Sequence, residues 1–139
     1  MKKSRFQFVK PIIRNINLKQ NGKWNSEDNY KFIPRILVKI FTKNENKINY
    51  KLSEIDEPVV VSVEIVLGEE DSDKYPFYLD IEVASEFEWD NIENIEPYLR
   101  VNAPSLLISY IRPTISLLTS QLGIPAYDLP LIDLSISKE

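Results

Sequence analysis

Residues Val59 to Leu67 read Val-Val-Val-Ser-Val-Glu-Ile-Val-Leu, and after a polar turn a second run, Phe77 to about Phe87, repeats the same period of two. Val59, Val61, Val63, Ile65 and Leu67 share one side of the first run, with Ser62 and Glu64 on the other. In the second run Phe77, Leu79, Ile81 and Val83 oppose Asp80 and Glu82. Successive side chains of a strand point to opposite faces, so each run has one dry face and one wet face. Two neighbouring strands of this kind, joined by the turn Gly68 to Pro76, predict an antiparallel sheet whose dry face needs a cover.

The last third of the chain supplies that cover. Asn102-Ala103-Pro104-Ser105 has the form of a helix start, with Asn102 as cap and Pro104 in the first turn, and Gly123 followed by Pro125 marks the stop. Over residues 103–122, Leu107, Ile111, Ile115, Leu118 and Leu122 fall on one stripe at helical spacing, and Leu106, Tyr110, Pro113 and Leu117 on a second beside it. One sheet can cover only one of these stripes. The expectation is that the second, through Leu106, Tyr110 and Leu117, packs on another copy of the chain as a dimer or tetramer. Pro113 inside the helix frees the carbonyl of Ser109 and should kink the axis.

Two further strands complete the sheet. Residues 5–19 place Phe6, Phe8, Ile12, Ile16 and Leu18 on one parity, with Lys10 and Arg14 interrupting it and Pro11 removing a ladder donor, which suits an edge or a bulge. Tyr30 to Thr42 alternates through Phe32, Ile36, Val38 and Ile40, and Ile48, Tyr50 and Leu52 alternate again as a return strand. Residues 20–29 form a polar loop carrying Trp24. The fold class is therefore α+β: a four-stranded antiparallel sheet with one long C-terminal helix across it, in a single domain spanning residues 1–139.

Composition narrows the function. The 139 residues contain no Cys and no His, which removes disulfides, thiolate nucleophiles, Cys/His metal sites and imidazole acid–base chemistry. The net charge of −4 argues against a phosphate-binding stripe for nucleic acid and against a polybasic membrane contact. Met1-Lys2-Lys3 has the charge of a secretory leader, but Lys10, Arg14 and Asn15 interrupt the apolar run after it, and no segment is long and apolar enough to span a bilayer. A cytoplasmic location is expected. No phosphate-loop or nucleophile-elbow motif occurs, and no metal or cofactor is expected.

The helix and the tail after it, residues 102–134, carry a resemblance. Pro104, Leu107, Tyr110, Arg112, Ile115 and Ser116, followed by Gly123, Pro125 and Leu129, are similar to the helix and following stretch of the SecB family of export chaperones; Pro130 fits after a one-residue shift and Leu134 stands in for a final aromatic. Phe6-Gln7-Phe8 and Leu67-Gly68-Glu69-Glu70 agree with the family's first strand and its hairpin turn. The resemblance implies an ATP-independent chaperone, not an enzyme, that holds unfolded or preprotein polypeptide in an apolar groove. It implies that Trp24, Tyr30 and Phe32 line one side of that groove and Ile124, Tyr127, Leu129 and Leu131 the other. For Phe32, Leu129 and Leu131 an ordinary place in the core is an equal alternative.

The departures also bear on function. In the family the first strand ends in acids that help dock the translocation motor SecA; here Asn15 and Lys19 stand at those places, and only Glu69 and Glu70 remain as a partner-docking surface. Weak or no SecA docking is expected. The chain stops at Glu139, before the second helix that SecB-type chains carry. The alternative to a general chaperone is an interaction module dedicated to one protein, for example an antitoxin.

Overall fold

The computed structural model describes residues 5–25, 29–42, 58–90, 92–132 and 134. The two alternating runs form the centre of one antiparallel sheet. Strand β4 (Val59–Leu67) pairs with β5 (Phe77–Asp90) in unbroken register from Val59↔Phe87 to Leu67↔Leu79. On its other side β4 takes β3 (Arg35–Thr42), with Ile36, Val38 and Ile40 opposite Ile65, Val63 and Val61. Cross-strand partners share a face, so all of these side chains line one side of the sheet. Tyr30 to Pro34, expected as strand, is irregular, and β3 begins at the residue after Pro34, which has no N–H for a ladder. The return strand expected at Ile48–Leu52 lies outside the described residues.

Among the described residues the sheet has five strands, not four, because the first expected strand is broken in two. Strands β1 (Arg5–Phe8) and β2 (Ile12–Gln20) lie end to end along the same edge of β5. Phe8 partners Phe87 and Ile12 partners Ala84, so three residues, Val9, Lys10 and Pro11, stand against two on β5. A second irregularity between Ile13 and Asn15 absorbs Arg14. The two charged residues that interrupted the apolar parity are thus taken up at points where an extra residue enters the strand. The first shift also moves Ile12 to the outer face beside Ala84, where it is 65% exposed, while Ile13 partners Val83 on the inner face. The carbonyl of Val9, freed at the break, accepts a 2.5 Å hydrogen bond from the buried Ser85 hydroxyl.

Helix α1 (Ala103–Ser120) crosses the dry face and contacts β4 and β5. It buries Ala103, Pro104, Leu107, Ile108, Ile111, Ile115 and Thr119 against Val61, Val63, Ile65, Leu79, Ile81 and Val83. Fully burying each large aliphatic side chain is worth about 1.5–3 kcal/mol. Asn102 does not cap the helix. It has helical dihedrals and makes no side-chain capping bond, because it ends a π-helical turn, Tyr98–Asn102, that runs straight into α1. That turn is anchored by Leu99 and Ile95, both fully buried. Gly123, at φ 78°, takes the left-handed conformation expected after the helix end. Pro113 lies within α1, and it and Ser109 are exposed, so water can satisfy the Ser109 carbonyl.

The outer face of the sheet is mixed, with Ile12 and Leu37 exposed on it, and carries a pair of acids close together. Glu64 partners Glu82 and Asp80 partners Val66, which puts Glu64 and Asp80 diagonally across the strands. Hydrogen bonding to Asp80, then burial, then the Asp80 charge hold the Glu64 carboxyl above the ordinary carboxylate range, against an opposing pull from Lys39. Asp80 Oδ1 is buried and has no donor among the described residues, and a proton on Glu64 would supply one. A carboxyl with a raised pKa makes the folded state bind its proton more tightly than the unfolded chain does. The Glu64 contribution to stability is then fully present below the ordinary carboxylate range and is lost as pH rises through the raised value. Glu64→Gln is expected to raise stability at neutral pH and flatten this slope. Urea titrations from pH 4 to 7 check it, and an unchanged slope would remove Glu64 as the cause.

Candidate functional site

Two irregular segments meet at the end of the sheet marked by the β4–β5 hairpin. The first is the loop after β2, through Trp24, Tyr30 and Phe32. The second is the tail after α1, through Ile124, Tyr127 and Leu129. Aromatic rings join them in a continuous series. Trp24 meets Tyr30 edge-on at 5.6 Å, Tyr30 meets Phe32 at 5.2 Å, and Phe32 meets Tyr127 at 5.0 Å. Beneath, Phe32 stacks on Tyr75 at 5.3 Å and packs on Phe77 at 4.7 Å, so the series is rooted in the first residues of β5. Such edge-to-face contacts add about 0.5–1.5 kcal/mol each beyond area burial.

Of the seven expected groove residues, ring contacts join Trp24, Tyr30, Phe32 and Tyr127, while Leu129 and Ile124 pack in or against the core cluster. Phe32 and Leu129 are buried. Trp24, Tyr30, Ile124 and Tyr127 are half-buried, and Leu131 is 90% exposed. Trp24 has an apolar neighbour after all, Tyr30, although it packs outside the main core cluster. Its indole N–H is buried with no acceptor among the described residues. Burial, with a smaller push from Tyr30, raises the Tyr127 phenol above its ordinary value, so this side stays uncharged at neutral pH. Tyr75 and Phe77 were not foreseen as members. Their only sequence signal was Tyr-Pro-Phe at the end of the hairpin turn.

Polar side chains tie the two segments to the sheet. Asn21 donates from Nδ2 to the carbonyls of Glu69 (2.9 Å) and Tyr75 (3.0 Å), and its Oδ1 accepts the N–H of Asp71 (3.0 Å). Gln20 donates to the carbonyl of Leu122 at 2.9 Å. Thr119 accepts the N–H of Tyr127 at 2.8 Å and donates to the carbonyl of Ile115 at 2.9 Å. Of the two expected docking acids at the hairpin tip, Glu70 accepts from Lys19 at 2.5 Å; beside it, Lys23 reaches Asp71 at 3.5 Å. Bonding to Glu70 raises the Lys19 pKa, which keeps that base charged. Glu69 is exposed.

On α1 the second stripe faces away from the sheet. Leu106 is half-buried, Tyr110 is exposed, and Leu117 is 64% exposed. Among the described residues no cluster of three metal-ligating side chains occurs, and no helix is long and apolar enough to cross a membrane.

No family profile matches the chain. Over 101 residues it is 28% identical to the uncharacterised protein MJ0357 of Methanocaldococcus jannaschii; the match takes in 70% of this chain and 64% of that protein's length. Among solved structures, it is similar to the SecB-like chaperone Rv1957 of Mycobacterium tuberculosis, bound to a ChAD peptide of the HigA1 antitoxin Rv1956. That likeness has a TM-score of 0.65 at 16% identity and covers 92% of this chain and 91% of the other. A protein of unknown function from Streptococcus agalactiae matches with a TM-score of 0.53 at 12% identity, over 93% of this chain and 99% of the other. With five antiparallel strands and one long helix among the described residues, and this likeness over nearly the whole chain, the fold is SecB-like.

Proposed function

We propose that this chain is an ATP-independent, SecB-like chaperone that holds extended segments of unfolded polypeptide along the Trp24–Tyr30–Phe32–Tyr127 series, with no enzymatic activity and no cofactor. The observation that carries this reading is that aromatic series: uncharged rings on two irregular segments, half-open to solvent, with Ile33, next to Phe32, exposed. Rings of this kind accept many side chains without fixed register, which suits binding to varied unfolded chains. Under this reading the protein works in the cytoplasm, on unfolded or preprotein clients. It engages SecA weakly or not at all, because Lys19 already occupies Glu70. The test is suppression of aggregation of two unrelated denatured proteins at stoichiometric amounts. Failure with both would sink the general-chaperone reading.

A second reading is favoured by one observation, that the similar Rv1957 is bound to a peptide of an antitoxin. Here the same rings would serve a single partner segment. Tight binding to one protein recovered from the host, together with indifference to denatured clients, would select this reading.

Self-association through the outer stripe of α1 belongs to both readings. Leu117, Tyr110 and Leu106 leave an apolar strip that water would otherwise cover. Replacing Leu106 and Leu117 together with Lys is expected to convert a dimer or tetramer into monomer, since two charges would be desolvated at the contact. Sedimentation velocity reads the result, and a wild-type chain that is monomeric at micromolar concentration would defeat it.

A further inference from the structure

Resting on the polypeptide-binding reading, we propose that Thr119 and Asn21 are positioning residues of the aromatic site, Thr119 fixing the Tyr127 side and Asn21 the Trp24 side. Thr119 falls in register with Ile111 and Ile115 on the buried stripe of α1 and is itself fully buried. At that place a Val of the same shape would cover the sheet equally well, and a buried hydroxyl is unfavourable unless it is bonded. Its bonds explain it. Oγ1 donates back to the carbonyl of Ile115 and accepts the backbone N–H of Tyr127, eight residues on, where the tail has no strand or helix partner of its own.

Asn21 repeats the device on the other side. It is 6% exposed, at the end of an edge strand where a polar residue would ordinarily face water. Its side chain makes three hydrogen bonds to the backbone of the β4–β5 hairpin turn, and its own N–H bonds to the carbonyl of Pro76 at 3.0 Å. Its carbonyl then accepts the N–H of Trp24 at 3.3 Å, closing a turn that aims the indole at Tyr30. Each ring-bearing segment thus hangs from one buried polar residue. A side that is held in place before binding spares the ordering cost of the loop on binding.

The test compares Thr119→Val, Thr119→Ser and Asn21→Ala with the wild type in anisotropy titrations of a labelled, chemically unfolded polypeptide rich in Leu and Phe. Amide hydrogen exchange at Tyr127 is followed alongside. Thr119→Val is expected to speed exchange at Tyr127 and weaken binding about tenfold, and Thr119→Ser to restore both. Ile115→Val, a stability control one helical turn away, should lower the melting temperature and leave affinity unchanged. Asn21→Ala should weaken binding similarly, and it decides the question if Thr119→Val does not fold. Unchanged affinity in Thr119→Val despite fast exchange at Tyr127, or an equal loss in Ile115→Val, would overturn the positioning role. A wild type that binds no unfolded polypeptide would overturn the underlying reading, and this proposal with it.

Discussion

Gly68→Ala is expected to destabilise the protein by about 2–4 kcal/mol, and Gly123→Ala by only about 1 kcal/mol. Both glycines have left-handed backbone, at φ 74° and φ 78°, so both substitutions meet the steric cost of a Cβ in that region. They differ in the space around them. A Cβ on Gly68 would lie 2.3 Å from the carbonyl oxygen of Phe77 and 3.1 Å from Cε1 of Phe32, whereas one on Gly123 would meet nothing within 4 Å. The first of these neighbours is backbone of the central strand pair and cannot swing aside. Arg35 also donates to the Gly68 carbonyl at 2.6 Å, so movement of the turn would strain that bond. Urea denaturation of the two variants measures the contrast. Equal losses would mean that the β4–β5 turn relaxes freely.

The same turn shows why part of the fold was legible in the sequence and part was not. The runs Val59–Leu67 and Phe77–Phe87 are buried on one face by their own alternation, and nothing distant changes that pattern. The buried stripe through Leu107, Ile111 and Ile115 was equally plain, because the period of a helix is local. The break at Pro11 was visible as a disturbance, but its result was not. Whether Lys10 and Arg14 sit as extra residues or simply face water depends on where β5 offers partners, and that is a tertiary matter. Asn102 misled for a related reason. Its cap chemistry was sound, yet Ile95 and Leu99 bury upstream and carry helical structure past it.

The candidate site was legible in its residue types and not in its depth. Trp24 stood out as an aromatic in a polar loop, whereas Tyr30 and Tyr127 were expected from the family resemblance. That Phe32 packs on Tyr75 and Phe77 and meets Tyr127 follows only once residues about a hundred positions apart are brought together. Thr119 and Asn21 gave no local signal, since one reads as a helix position and the other as a turn residue. Their role comes from hydrogen bonds to chain eight and about fifty residues away.

Trp24→Ala is expected to weaken binding of unfolded polypeptide about tenfold to a hundredfold, equivalent to the roughly 1.5–3 kcal/mol gained by burying one large aromatic. Folding should hardly change. Trp24 packs outside the core cluster, and among the described residues its ring meets that of Tyr30 only and its buried indole N–H finds no acceptor. Trp24→Phe keeps a ring against Tyr30 and removes that unmatched donor, so it should be neutral or slightly stabilising and retain binding. Trp89, half-buried on the core face of β5, would obscure the fluorescence of Trp24, so the series belongs on a Trp89→Phe background. In that background client binding should shift the remaining indole emission to shorter wavelength as water leaves it. A sharp fall in melting temperature for Trp24→Ala, with binding per folded molecule unchanged, would make Trp24 a structural residue and move the client contact to the Tyr127 side.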